Sequence, residues 1–226
     1  MPRYSDFQDD CFVPPQTREG DFRVAIVHIV DDDASFRTST GRLLRAAGYA
    51  VELHASAEQL LKRLPNDAGL GCILLDIKMP DISGPELQDR LNGRASSLPI
   101  IFLTGQADIP TTVQVIKAGA EDLLKKPVSQ DSLVEAIERA LARARTMREK
   151  HEELAALRTL ASRLTPRERQ VFERVVRGKR NKEIARELGA TERTIKAHRH
   201  RVMDKLEAGS LAELVVVAER LSILGT

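Results

Sequence analysis

Short uncharged runs, each closed by a polar residue, recur through the first half of the chain. Val24-Ala-Ile-Val-His-Ile-Val30 runs into Asp31-Asp32-Asp33, Gly71–Leu75 into Asp76, and Pro99–Leu103 into Thr104. Runs of that length without alternation predict strands buried on both faces, the habit of parallel sheets. Tyr49–His54 alternates like a strand, and Asp122–Lys125 is a short one before Lys126-Pro127. Helical spacing fills the intervals. Phe36, Leu43, Leu44 and Ala47 mark a helix over about 34–47 that stops at Gly48. Ser56-Ala-Glu-Gln59 has the spacing of a capping box for a helix reaching about Leu64. Gly84–Leu91 and Asp108–Ala118, the latter closed by Gly119, are the next two helices, and a long one begins near Gln130.

Five strands alternating with five helices predict an α/β domain built on a doubly wound parallel sheet. Right-handed crossovers restrict the strand orders, and the flavodoxin-like order 2-1-3-4-5 sets the first and third strands side by side. That order brings Asp31, Asp32 and Asp76 to the carboxyl edge, where open α/β sheets bind ligands. Residues 1–23 show no periodicity, mix Pro14-Pro15 with charges, and read as a flexible leader whose Phe7, Phe12 and Phe22 allow partial packing.

Beyond the sheet the pattern is helical throughout. From Asp131 to about Leu160 there is neither Gly nor Pro. Leu133, Ile137, Ala140, Ala144, Met147, His151 and Leu154 follow an alternating four-three spacing, a thin coiled-coil-like seam. The expected organisation is an α/β domain over 24–145 whose last helix runs into a solvated helical linker, 146–163. A continuous helix that spaces the domains and pairs in a dimer is the alternative. Residues 164–226 form an all-α domain of four helices: capping boxes at Thr165-Pro-Arg-Glu168 and Ser210-Leu-Ala-Glu213, and caps at Asn181 and Thr191. The 181–206 stretch, with Gly189 in its turn, has a helix-turn-helix arrangement.

Charge separates the two halves. Residues 24–148 carry 15 Lys/Arg against 16 Asp/Glu, whereas 164–226 carry 14 against 9. Only the second half has the balance of a nucleic-acid binder. With 42% hydrophobic and 30% charged residues the chain suits packed soluble domains. No apolar run approaches the roughly 18 residues of a membrane helix, and no signal-peptide core opens the chain. Cys11 and Cys72 make neither a disulfide framework nor a metal pattern; a reducing, cytoplasmic setting is expected, with Cys72 a small core residue.

The acids carry the candidate chemistry. Carboxylates gathered at one edge raise each other's pKa unless a cation joins them, and oxygen-only ligands suit a hard divalent ion, Mg²⁺ or Mn²⁺. Asp76 could then attack phosphorus and form an acyl phosphate. Thr104, ending the fourth strand, offers a hydroxyl to a phosphate oxygen, and Lys126, after the fifth, an ammonium. Asp33 reads as a solvent-facing N-cap of the first helix.

VHIVDDD, LLDIKMPDISG, IIFLTGQAD and KKP, in this order and spacing, resemble the receiver domain of two-component response regulators over roughly 24–145. The resemblance implies Asp76 as phospho-acceptor and Asp31 and Asp32 as metal-site acids. It also implies the Lys78 backbone carbonyl as a metal ligand, and Thr104 and Lys126 as phosphoryl contacts. LTGQAD resembles the FixJ-like branch, with Asp108 opening the fourth helix. Leu123 stands where the family usually has a switch aromatic that follows the threonine; leucine buries less and has no hydroxyl. A haloacid-dehalogenase-like phosphatase would need a second Asp two residues after the nucleophile, and position 78 is Lys.

In the second domain, Ile195, Val202 and Leu206 share one sector of the third helix and must face the core, with Arg193, Lys196, Ala197 and His200 opposite. A basic face with one small residue suits a major groove, and 177–205 holds ten Lys/Arg against four acids. LTPRERQVF, GKRNKEIARELGATERTIKAHRHRVMDKL and SLAELV resemble the LuxR/NarL-type DNA-binding domain over 164–222. That resemblance implies base-side positions at Lys196, Ala197 and His200. It makes Asn181, Lys182, Thr194, Arg199 and Lys205 phosphate-side or structural. His198, at the edge of the core sector, is expected to be packed and hydrogen-bonded. The whole reads as a phosphorylation-controlled transcription regulator, an activator rather than a dedicated enzyme. Its implied partners are a sensor histidine kinase, twofold promoter DNA, RNA polymerase and a second copy of itself, with no membrane. The other reading is a phosphorylation-independent DNA-binding regulator whose receiver is only an interaction module.

Overall fold

The computed structural model describes residues 25–64, 69–92, 98–105 and 109–223. The expected leader, Val24 and Asp108 lie outside them. The chain divides into two compact units, Met1–Met147 and Arg148–Thr226.

The first unit runs β1 (Ile26–Val30), α1 (Ala34–Ala46), β2 (Ala50–His54), α2 (Ala57–Arg63), β3 (Gly71–Asp76), α3 (Gly84–Asn92), β4 (Ile100–Thr104), α4 (Ile109–Lys117), β5 (Asp122–Lys125) and the first part of α5 (Gln130–Ser162). The sheet is parallel throughout, in the order β2-β1-β3-β4-β5. Every residue of β3 and β4 is buried, as runs without alternation require. Alternate strand residues serve two cores. Val30, Ile73, Leu75 and Phe102 pack with Leu60 of α2, Leu87 and Leu91 of α3 and Val115 of α4. Val27, Ile29, Leu74 and Ile101 pack with Leu44 of α1 and Leu133, Ile137 and Leu141 of α5. Buried Cys72 belongs to this second core.

Helix ends follow the side chains expected of them. Asp33 caps α1, its carboxylate accepting from the N–H groups of Ser35 (2.8 Å) and Phe36 (3.2 Å), and these bonds lower its pKa. Ser56 caps α2 through Gln59 N–H at 3.2 Å. Gly84, at the start of α3, is demanded by close approach: a Cβ there would lie 2.5 Å from the Asp76 carbonyl oxygen and 2.9 Å from Phe102 Cε1. Its N–H bonds the Ile77 carbonyl at 3.0 Å, so the turn after Asp76 is pinned to its own strand.

α5 is one helix to Ser162, past the division between the units. Leu133, Ile137 and Ala140 of the expected seam are buried in the sheet core and Ala144 is buried as well, while Met147 and His151 are exposed.

The second unit adds α6 (Pro166–Val176), α7 (Asn181–Leu188), α8 (Glu192–Lys205) and α9 (Leu211–Arg220) around Val171, Phe172, Ile184, Ile195, Val202 and Leu214. Gly189 ends α7 at φ 61°, the left-handed turn that glycine adopts without strain. Thr165 and Glu168 form the expected reciprocal capping box of α6. The expectation for α7 needs correction. Arg180, not Asn181, is the N-cap residue, and the Glu183 carboxylate accepts its N–H at 2.7 Å. Asn181 is the first helical residue, which frees its side chain for α8.

Glu168 also accepts from Lys205 Nζ at 2.6 Å. Burial alone would raise its carboxyl, but Lys205 and the Thr165 N–H outweigh burial and hold it at about 2, against an ordinary 4.5. A depressed folded-state pKa gives stability that is fully present above about 4.5 and lost as pH falls toward about 2. Thermal unfolding of the full chain should therefore show a transition that drops across that window. Glu168→Gln should flatten the drop and, by leaving Lys205 without its acid, cost about 2 kcal/mol at pH 7.

Candidate functional site

Three side chains from three strand ends meet at the carboxyl edge of the sheet. β1 delivers Asp31, β3 ends in Asp76, and the residue after β5 is Lys126. Strand pairing fixes this. Val30 lies beside Leu75, Asp76 beside Leu103, and Thr104 beside Lys125. Lys126 Nζ sits 2.6 Å from Asp31 Oδ2 and 2.6 Å from Asp76 Oδ1. It also lies 4.1 Å over the centre of the Phe36 ring. The other carboxylate oxygens are held by the backbone: Asp31 Oδ1 accepts from Asp33 N–H at 2.9 Å, and Asp76 Oδ2 from Lys78 N–H at 2.8 Å.

Among the described residues, then, the expected trio of acids is a pair bridged by an ammonium. Asp32 is exposed and outside that bridge. Lys78 is exposed, and its contact with Asp76 is through N–H. Thr104 is buried at the end of β4, and its carbonyl accepts from Lys126 N–H at 2.7 Å. Asp76, Lys78, Thr104 and Gly105 line an open cleft of about 260 Å³ beside the bridge. Leu123 is half-buried against the core containing Phe102, its register partner in β4.

Burial raises the Asp31 pKa, although Lys126 and the Asp33 N–H pull against it. Burial alone would lower Lys126, but its bonds to Asp31 and Asp76 win and the ammonium titrates above its ordinary value. A point of positive charge is therefore built into the gap between two acids. Oxygen donors converging on such a point fit a hard divalent cation.

The second site is the outward face of α8. Arg193, Thr194, Lys196, Ala197 and His200 are exposed, opposite buried Ile195 and Val202. Thr191 caps the helix through Thr194 N–H at 3.1 Å, and the two hydroxyls lie 2.8 Å apart. Arg199 Nη1 donates to Asn181 Oδ1 at 2.9 Å and so joins α8 to the start of α7. Lys205 is held by Glu168 and the Arg163 carbonyl (3.1 Å), the structural half of its expected role. Lys182 is exposed on α7. His198 is half-buried as expected, but its Nδ1 lacks a hydrogen-bond partner among the described residues.

Both halves match known families. Residues 27–138 match the response regulator receiver domain, and 162–218 the bacterial regulatory proteins of the luxR family. The chain is 39% identical to the transcriptional regulatory protein FixJ of Bradyrhizobium diazoefficiens, over 88% of this chain and 96% of that one. The chain belongs to the two-component response regulators. Nodulation protein W of the same organism is 41% identical over 88% of this chain and 87% of its own length. The structure of the response regulator StyR superposes with a TM-score of 0.75 at 43% identity, covering 87% of this chain and 98% of that one.

A receiver joined to a LuxR-type domain makes this response regulator a regulator of transcription and implies a histidine kinase and DNA as partners. Among the described residues no helix is long and apolar enough to cross a membrane. Sequence reasoning placed Phe36 in the first helix and Glu168 in a capping box, but not Phe36 beside the Lys126 ammonium or Glu168 on Lys205, because each of these partners is met only across the fold.

Proposed function

We propose that Asp76 accepts a phosphoryl group from a histidine kinase, and that this drives dimerisation and binding to twofold promoter DNA. The observation that carries the reading is the Asp31–Lys126–Asp76 bridge beside an open cleft. In it the nucleophilic carboxylate, its acidic neighbour and a phosphoryl counter-charge converge on one point. Asp31 and Asp32, with Asp76 and the Lys78 carbonyl, would hold Mg²⁺ or Mn²⁺, which supplies charge neutralisation for the incoming phosphoryl oxygens. Asp76 Oδ1 forms the new O–P bond as the P–N bond of the donor breaks, and the imidazole nitrogen takes up a proton. Lys126 then follows the new charge, and the buried Thr104 hydroxyl turns to it. The chain is an acceptor rather than a dedicated enzyme: it takes the phosphoryl group onto its own carboxylate and hydrolyses its own acyl phosphate.

The β4–α4–β5 side carries the readout. Ile109, Val113 and Ile116 of α4 are exposed large apolar residues, and Ile109 is 79% exposed. Apolar residues in one row on a helix suit a partner surface. A second copy of the chain offers the matching row, and a twofold dimer presents two copies of α8 to a twofold site on DNA. The dimer would contact RNA polymerase at activated promoters. With acetyl phosphate and Mg²⁺ the full chain should elute as a dimer in gel filtration at micromolar concentration. Ile116→Asp should keep it monomeric. Identical elution with and without the phosphodonor would favour a receiver that serves only as an interaction module.

On α8, Lys196→Ala should weaken binding to a fragment selected from random DNA by about 10- to 100-fold and relax preference at one or two base pairs. Lys182→Ala should weaken selected and random fragments alike. Quantitative gel shifts on both pools separate the two effects.

A further inference from the structure

The sheet carries a second convergent cluster, made of side chains other than those of the acid pocket. His28 of β1 and Glu52 of β2 are register partners, and His54 lies two residues beyond Glu52, so all three project from one face. His28 Nδ1 and His54 Nε2 lie 3.2 Å apart, and Glu52 Oε2 stands 3.6 Å from the first and 3.8 Å from the second. Among the described residues it is the one group of three His, Cys, Asp or Glu side chains with ligand atoms gathered within 4.8 Å. We propose that His28, Glu52 and His54 bind a borderline transition-metal ion of the Zn²⁺ class, with water completing a four-coordinate shell.

The distances carry this. Nitrogen and oxygen ligands at about 2.0–2.1 Å around a tetrahedral ion are about 3.3–3.4 Å apart, so this triangle closes on an ion with shifts of a few tenths of an ångström. Two imidazoles and one carboxylate favour Zn²⁺, Co²⁺, Ni²⁺ or Cu²⁺ over Mg²⁺, so the cluster would select a different ion from the acid pocket. Both rings are buried, so the protein and not solvent fixes where their nitrogens sit. His54 Nδ1 is buried without a hydrogen-bond partner among the described residues. With Nε2 on the metal, Nδ1 carries the proton, which fixes the tautomer that the His–His contact leaves undecided. Glu52, about half exposed, opens the site to solvent. Two adjacent strands provide a rigid mount.

The site would adjoin the acid pocket through the backbone, because the His54 carbonyl accepts from Asp31 N–H at 3.2 Å. The test is a Co²⁺ titration of the full chain followed by visible absorption, with Zn²⁺ as competitor and excess Mg²⁺ present to fill the acid pocket. The expected result is the intense band of four-coordinate Co²⁺, saturating at one equivalent and erased by Zn²⁺. Glu52→Gln, half-exposed and compatible with the fold, should weaken it by more than about tenfold. No saturating band, or a band of unchanged affinity in Glu52→Gln, would overturn the proposal. So would a band that excess Mg²⁺ removes, since the ion would then sit on the acid pocket.

Discussion

Asp76→Asn should remove phosphate incorporation from acetyl phosphate altogether, a fall of at least about 10³-fold, while the protein stays folded. The amide keeps the shape of the carboxylate but lacks its charge and its nucleophilic oxygen pair. The fold survives because Lys126 keeps Asp31 as its partner at 2.6 Å and no buried charge is orphaned. Intact-mass analysis with Mg²⁺ present reads the result directly: one phosphate on the wild type and none on the variant. Circular dichroism confirms that the variant is folded. Incorporation at full yield in Asp76→Asn would place the acceptor elsewhere and remove the basis of the proposed function.

Lys126→Ala should move two measurements in opposite directions. Without the ammonium, Asp31 and Asp76 face each other with, among the described contacts, backbone N–H groups to balance them. Two like charges about 4 Å apart repel by about 4 kcal/mol at an effective dielectric near 20. A divalent cation relieves that repulsion, so Mg²⁺ should bind more tightly to the variant than to the wild type, where the ammonium competes for the same point. Phosphoryl transfer should nevertheless slow by about 10²- to 10³-fold, because the positive charge that meets the transferring group is gone. Calorimetric Mg²⁺ titration and phosphorylation kinetics check the two halves. If both fall together, Lys126 acts by holding the fold rather than by competing for the acids.

Much of this arrangement was legible before any coordinates. β3 and β4 lie between neighbours on both faces and both sides, so their sequences need not alternate, and five- or six-residue apolar runs declare them. Once crossover handedness has restricted the strand orders and the flavodoxin-like one is adopted, the residues at the ends of parallel strands share an edge. Asp31, Asp76, Thr104 and Lys126 could be gathered on that ground alone. The sequence does not say how they divide the space. A long lysine side chain can reach a phosphoryl group or fill the gap between two acids, and only the packing of Phe36 beneath it and the spacing of Asp31 from Asp76 decide.

Other misses have a common cause. The cap of α7 moved by one residue because Arg180 needs no side-chain bond of its own when Glu183 reaches back to its N–H. The thin seam of α5 packs in the sheet core at Leu133, Ile137 and Ala140, stays buried to Ala144, and surfaces at Met147 and His151. The His28–Glu52–His54 triangle depends on β1–β2 register, which an alternating strand and a buried one fix only after they pair. Local chemistry is visible residue by residue; the partner across the sheet is not.

The hydrogen bonds inside the second unit bear on how its DNA affinity should respond to salt. A count of ten basic residues over 177–205 suggests a steep loss of affinity as ionic strength rises, one counter-ion released for each phosphate met. Three of those ten are engaged within the domain: Lys179 by Glu187, Arg199 by Asn181 and Lys205 by Glu168. The slope of log affinity against log salt should therefore reflect the seven others at most. Glu187→Gln, which removes the carboxylate shared by Lys179 and Arg174, would steepen it without adding a single positive charge.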